Sequence, residues 1–218
     1  MKVDEIIKQV RLCIDEESNN SSYITDEKDD LYMDNIIKAK INDALHWLAI
    51  TASSSPILAE AKKTGSSTFV QTVSGYDTAR NIGVITMPSN TEIIDISRVR
   101  GKDWQKAVVP VEDTDDSALM MFDDLAKGTL DRPQATIMRE NPIKILLQPK
   151  TSEVVISYVG VPMSVDTSSS SADVNVPDKL KNAFIYYIAF LLLSAYEDSK
   201  ANMMYTIALQ QLGVQTSK

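Results

Sequence analysis

Apolar residues near the N-terminus recur with the period of an α-helix. They fall at spacings of three and four, which places one apolar stripe along an amphipathic helix. The stripe consists of Val3, Ile6, Ile7, Val10, Cys13 and Ile14. We predict a helix that ends near Ser18, then a polar break at residues 19–22 and a charged, solvated stretch at residues 26–30.

A longer helix is predicted at residues 32–51, because seven apolar residues share one helical face there. They are Met33, Ile36, Ile37, Ile41, Ala44, Leu45 and Leu48. Three serines and Pro56 end this helix, and residues 56–63 suit a short third helix.

The middle of the chain favours strands over helices. Ile94, Ile96 and Arg98 alternate with Asp95, Ser97 and Val99, the period-2 pattern of a half-buried strand. A short amphipathic helix is predicted to interrupt the strands. Thr114 or Asp115 would cap its start, and it would end near residue 127, with Gly128 as its stop signal. Residues 102–111 are predicted to be extended. The predicted strands are residues 68–73, 83–87, 91–99, 134–139, 143–147 and 154–161.

A helix predicted at residues 177–199 is apolar on every face between Ala183 and Tyr196. Lys181 and Glu197 bracket this run, so it falls short of the roughly 20 apolar residues that span a bilayer. Protein must therefore cover it, either the rest of the chain or a partner subunit. The predicted contact residues are Phe184, Ile188, Leu192 and Tyr196. A last helix is predicted at residues 198–212, with Gly213 as its stop signal.

This order of elements predicts an α+β fold. Residues 1–64 and 177–218 would form one helical bundle, and residues 65–176 a strand-rich central insertion with one short helix. Within the insertion, the Ser-rich residues 165–172 suit a loop or a flexible excursion.

The charge of the chain narrows its possible partners. The 218 residues carry a formal net charge of −8, which argues against a groove that grips nucleic acid. Arg98, Arg100 and Lys102 form a local basic patch, interpreted as a solvated strand edge or as a contact for an acidic neighbour. The single cysteine excludes an intrachain disulfide, and the N-terminus lacks a signal-peptide pattern, so we expect synthesis in a cytosol.

Candidate chemistry is sparse. His46 is the only histidine and Cys13 the only cysteine, and we interpret both as ordinary helix residues. The carboxylates Asp113, Asp115 and Asp116 suit a helix start, and their spacing does not match a calcium-binding loop. The seven glycines are scattered and form no phosphate loop. We therefore predict no catalytic residue, no metal and no cofactor.

The order of parts and several short segments resemble the head-to-tail connector proteins of tailed bacteriophages, also called adaptor or ring proteins. The likeness is to the tail-tube-A type of short-tailed phages, and the composition, rich in Ser, Asn, Asp and Lys and poor in Gly, fits a crAss-like phage. The segments are ALHWL at residues 44–48, the Met-Pro turn at 87–88, VVISY at 154–158 and the helix pair with Tyr187, Ala189, Leu191–Leu193, Tyr196–Asp198, Ala201 and Tyr205.

The resemblance implies a structural role in the virion. Such proteins form rings, typically of twelve subunits, between the portal protein and the tail, and DNA passes through the ring without specific binding. A ring is a heterologous interface repeated until it closes.

Three other interpretations stay open at this point. The chain could be another phage structural subunit, from the tail, the baseplate or a capsid accessory. It could be a hydrolase that uses Asp113 to Asp116, or a membrane-associated protein held by the apolar run that starts at Phe184.

Overall fold

The computed structural model describes residues 1–17, 27–64 and 67–214. Helices occupy both ends of the chain and strands occupy its middle, so the predicted α+β class is confirmed. The helices are α1 (Val3–Glu17), α2 (Glu27–Ala52), α3 (Leu58–Thr64), α4 (Lys181–Ala195) and α5 (Ala201–Gln211), with the central 3₁₀ helix (Asp116–Phe122) and a shorter one (Asp178–Leu180). The strands are β1 (Ser67–Thr72), β2 (Ser74–Asp77), β3 (Ile82–Thr86), β4 (Thr91–Gly101), β5 (Val111–Glu112), β6 (Gln134–Met138), β7 (Lys144–Gln148) and β8 (Glu153–Pro162).

The chain forms two compact units, and the helical one combines Met1–Gly65 with Gly160–Lys218. Its central element is α4, which packs against α1, α2 and α5. The side chains of Phe184, Ile188 and Leu192 are at most 1% exposed. The chain's own helices therefore bury these three residues, and no partner subunit is needed to cover them. In the described residues, no helix is both long and apolar enough to cross a membrane.

Residues 160–176, which we assigned to the strand-rich part, lie in the helical unit. Hydrogen bonds tie the Ser-rich loop to α2: the amide nitrogen of Val165 donates to Asn42 Oδ1 at 2.9 Å, and Asn42 Nδ2 donates to the Val165 carbonyl at 3.3 Å. At the other end of the loop, the amide of Val3 donates to the carbonyl of Ala172 at 3.0 Å. Whether the two units are separate folding domains stays a prediction.

The helices α4 and α5 end with the same hydrogen-bonding pattern. At the end of α5, Gly213 has a φ of 71°, and the amides of Gly213 and Val214 donate to the carbonyls of Gln210 and Leu209. This is a Schellman motif, and it confirms Gly213 as the predicted stop. At the end of α4 the equivalent left-handed position is occupied by Glu197, with a φ of 55°.

The strand unit, Ser66–Val159, contains two sheets. The three-stranded sheet has the order β1-β8-β4, and the five-stranded sheet has the order β2-β3-β7-β6-β5. One buried cluster draws on both sheets, for example Ile96 and Ile156 from the first and Ile145 and Leu147 from the second. The sheets therefore pack face to face around a shared core.

Several boundaries differ from the sequence prediction. Helix α2 begins at Glu27, five residues before the predicted start at Tyr32. Strand β2 was missed, and the stretch predicted to be extended at residues 102–111 contains a turn and an isolated pairing of Val108 with Val99. The polar break predicted at residues 19–22 lies outside the described residues.

The prediction of a short amphipathic helix that reaches residue 127 is wrong. The chain forms the central 3₁₀ helix and leaves it after Phe122. Gly128 does not close a helix: a Cβ at this position would lie 2.4 Å from the carbonyl oxygen of Gln148. Glycine is needed here because another stretch of backbone approaches closely.

The predicted alternation of β4 is also wrong in its second half. Ile94 and Ile96 are buried as expected, but the next buried residue is Val99, and Arg98 is exposed. The inward positions thus change from even to odd numbers within one strand, which strict period-2 counting does not anticipate.

Candidate interaction surfaces

Four aromatic side chains from three helices meet at the surface of the helical unit. The rings of Trp47 on α2 and Tyr187 on α4 are stacked, with centroids 3.9 Å apart and planes 4° from parallel. Phe190 on α4 lies 5.0 Å from Tyr205 on α5, and Tyr187 lies 6.2 Å from Tyr205. Trp47, Tyr187 and Phe190 are partly buried, whereas Tyr205 is exposed. This aromatic cluster packs α2 and α5 against α4, and part of its ring surface is exposed to solvent.

The environment of Tyr187 favours its neutral form. Burial raises the pKa of the Tyr187 phenol above its ordinary value, and the nearby Tyr205 and Asp43 raise it further. The hydroxyl is therefore a hydrogen-bond donor well beyond neutral pH.

The predicted contact residues of α4 fall into two groups. Phe184, Ile188 and Leu192 belong to the interior of the helical unit, whereas Tyr196, just after α4, is 50% exposed. Tyr196 and Leu192 line an open, largely apolar groove of about 570 Å³ together with Tyr32. A partner contact at these residues stays a prediction, and Tyr196 is the only one of the four with an exposed side chain.

The central 3₁₀ helix presents an apolar ridge on the strand unit. Ala118 and Met121, three residues apart, face inward, and Met121 packs with Ile82 and Leu146 of the five-stranded sheet. Because a 3₁₀ helix has three residues per turn, the residues between them point outward. The exposed side chains of this apolar ridge are Leu119, Met120, Phe122 and Leu125, of which Leu119 is 65% and Leu125 is 97% exposed.

A charged side chain holds the end of the apolar ridge in place. Arg80 Nε donates to the carbonyl of Phe122 at 3.1 Å, and Arg80 Nη1 lies 3.0 Å from Asp77 Oδ2. The guanidinium of Arg80 lowers the pKa of Asp77 by hydrogen bonding, so the Asp77 carboxylate is charged near neutral pH.

Carboxylates surround the apolar ridge and form its acidic rim, defined as Asp113, Asp115, Asp116, Asp123 and Asp124, all of which are exposed. Asp123 accepts a hydrogen bond from the amide of Leu125 at 2.8 Å. In the described parts of the chain, Asp115, Asp116 and Asp124 form no ion pair with a basic side chain. Three negative charges of the rim therefore lack a partner within the unit.

The predicted basic patch lies on the three-stranded sheet. Arg98, Arg100 and Lys102 are exposed, and none of the three is paired with a carboxylate in residues 1–17, 27–64 and 67–214. Val70 and Val155 are opposite each other in the β1–β8 pairing and are both exposed. This outer surface, with its two valines and three cations, is called the basic face.

The two residues with candidate chemistry in the helical unit, Cys13 and His46, lie on different helices, α1 and α2. Cys13 lies in a shallow depression beside Tyr186 and Gln211, which His46 does not line. His46 is exposed on α2. Among the described residues, no three His, Cys, Asp or Glu side chains are close enough to hold a metal ion.

A comparison with protein families decides what kind of protein presents these surfaces. The family model described as SU10 adaptor protein matches residues 1–217. The chain belongs to the SU10 adaptor protein family. It is a phage structural adaptor protein, a virion component that contacts other virion proteins. No curated protein matches the chain.

Sequence reasoning missed most of the surface of this adaptor. Trp47 and Tyr187 are 140 positions apart in sequence, and no local pattern indicates that they stack. The structure places Met120 and Phe122 at the surface and Met121 in the core. The three-residue spacing of Ala118 and Met121 was the only sequence signal that these two residues face inward. That spacing fits an α-helix as well as a 3₁₀ helix, so it did not show that the helix ends at Phe122.

Proposed function

We propose that this adaptor forms a ring in the head-to-tail connector of a tailed phage, where it joins the portal protein to the tail and surrounds the DNA channel. The observation that carries the proposal is the family match over residues 1–217, which covers both compact units. Exposed apolar surface on each unit supports it, because contiguous apolar patches mark interaction sites.

The helical unit offers the surface for a different virion protein. Its aromatic cluster and the groove beside Tyr196 combine large apolar area with hydroxyl groups, a composition that is typical of interface hot spots. The portal protein or the tail is the partner that we propose for this surface.

The finer properties of the ring are part of the same proposal. We propose twelve subunits, kinship with the tail-tube-A type of short-tailed phages and a crAss-like phage source. DNA passes through the ring without specific binding, and the net charge of −8 per subunit supports this.

We propose no enzymatic activity for this chain. The hydrolase alternative has no support in the described residues, because Asp113, Asp115 and Asp116 are exposed and belong to no group suited to a metal ion. Another phage structural role, in the tail, the baseplate or as a capsid accessory, is the remaining competitor.

Electron cryo-microscopy of the intact virion tests the location of the adaptor. We expect density that fits the helical unit and the strand unit at the portal vertex, between the portal and the tail, in a closed ring. Density for this chain in the capsid lattice or in the baseplate would overturn the connector proposal and favour the competing structural role.

A further inference from the structure

We propose that the apolar ridge and acidic rim of one copy of this adaptor dock onto the basic face of the next copy. The proposal deepens the ring function proposed above and rests on it for the biological setting. It names the contact between neighbouring subunits and assigns that contact to the strand unit.

The two surfaces lie on opposite sides of the strand unit. Ile145 and Leu147 of β7 point into the core shared by the two sheets, whereas Leu146 points to the other side and packs against Met121 of the central 3₁₀ helix. The apolar ridge therefore covers the outer side of the five-stranded sheet.

The basic face is the outer side of the three-stranded sheet. In β8, Val154 and Ile156 point into the shared core, and Val155 between them points outward. Val70 pairs with Val155 from β1. On the other side of β8, the amide of Lys102 donates to the Glu153 carbonyl at 2.9 Å, and Ser97 Oγ donates to the Ser157 carbonyl at 3.0 Å. Arg98 and Arg100 therefore lie next to Val155.

The two surfaces are complementary in charge and in apolar content. The ridge has an aliphatic centre with Leu119 and Leu125 beside three unpaired carboxylates, and the basic face has an aliphatic centre of two valines beside three unpaired cations. Complementary charges across an interface set its register, and the apolar centres supply buried area.

Complementary surfaces on opposite sides of one unit generate a head-to-tail contact. Each copy then uses a different surface toward each of its two neighbours, which is the heterologous contact that builds rings. A second copy fits the observations better than DNA does, because the partner of the basic face must carry apolar surface as well as negative charge.

Matched charge reversals test the pairing. One variant carries Arg98→Glu and Arg100→Glu, and the other carries Asp115→Lys and Asp124→Lys. Sedimentation velocity of the full-length chain over a range of protein and salt concentrations measures self-association, and circular dichroism checks that each variant is folded. A control with Lys8→Glu and Lys63→Glu, both exposed on the helical unit, changes the net charge as much as the first variant does.

We expect the unmodified chain to associate more weakly as salt rises, and each reversed variant alone to associate roughly a hundredfold more weakly, because like charges face each other. An equimolar mixture of the two variants should recover association, since each reversed surface then meets a complementary one. The control should behave like the unmodified chain.

Other outcomes would overturn the proposal. They include an unmodified chain that stays monomeric at low salt and high concentration, reversed variants that associate normally, and a mixture that shows no recovery. If the reversed variants instead lose binding to another virion protein while self-association is unchanged, these surfaces serve that protein. The location of the adaptor in the virion is measured separately, so the connector role can stand when this interface fails.

Discussion

At the scale of single residues, Leu192 tests whether the interior of the helical unit is packed as described. It is 1% exposed, so Leu192→Asp would bury a charge without a partner. We expect a loss of about 3 kcal/mol or more in the free energy of unfolding, or no folded protein at all. Urea denaturation measures this loss. Asn182→Asp, an exposed position on the same helix, is the control and should stay within about 0.5 kcal/mol of the unmodified chain. Similar stability for both variants would mean that Leu192 is not buried in solution.

Cys13 and His46 are expected to carry no chemistry. Cys13 is only partly buried and His46 is exposed, so Cys13→Ala should cost less than about 1 kcal/mol, a smaller loss than full burial on the helix stripe would give. His46→Gln should be near neutral. Assembly into virions and thermal unfolding of both variants are the measurements. A variant that keeps its stability but fails to assemble would reveal a functional site at that position.

At the scale of elements, two helices end with the same motif but with different residues in the left-handed position. A non-glycine residue there costs about 1 kcal/mol. We therefore expect Gly213→Ala to lower the free energy of unfolding by about 1 kcal/mol and Glu197→Gly to raise it by a smaller amount. Thermal or urea unfolding measures both.

Gly75 provides the control for these helix ends. A Cβ at Gly75 would meet only an ordinary contact, 3.6 Å from Lys150 Nζ, so Gly75→Ala should change stability little. A stabilising Gly213→Ala would show that the end of α5 does not adopt the left-handed conformation in solution.

The aromatic cluster couples α2 to α4 in a way that a double-mutant cycle can measure. Trp47→Leu and Tyr187→Leu, made singly and together, should give a coupling energy of about 0.5–1.5 kcal/mol. The pair Trp47 and Phe190, connected through Tyr187, is the matched control and should couple more weakly. Equal coupling in both cycles would argue against a specific contribution from the stacked pair.

At the scale of the whole molecule, the net charge of −8 governs the relation to DNA. We expect negligible affinity for duplex DNA at physiological salt. Any binding at low salt should depend on Arg98, Arg100 and Lys102 and weaken steeply as salt rises. Fluorescence anisotropy with labelled duplex, comparing the chain with its Arg98→Glu, Arg100→Glu variant, measures this. Tight binding that resists salt would contradict the proposal that DNA passes through the ring unbound.

The sequence by itself determined the classes of element and their order. Helical and strand periods are local signals, so the apolar stripe from Val3 to Ile14 and the left-handed stop at Gly213 were both predictable. Helix α4 was correctly predicted to be buried, but its sequence did not indicate which parts of the protein cover it. In the structure α1, α2 and α5 cover it.

Only the tertiary structure decided which residues form the surfaces. The buried side of β4 changes between Ile96 and Val99, because packing between the sheets outweighs local periodicity. The central 3₁₀ helix ends at Phe122, so Leu125 lies beyond it and is exposed. Trp47 meets Tyr187 only after distant helices pack together. Contacts between residues far apart in sequence depend on the whole fold, and for this adaptor those contacts define the candidate sites.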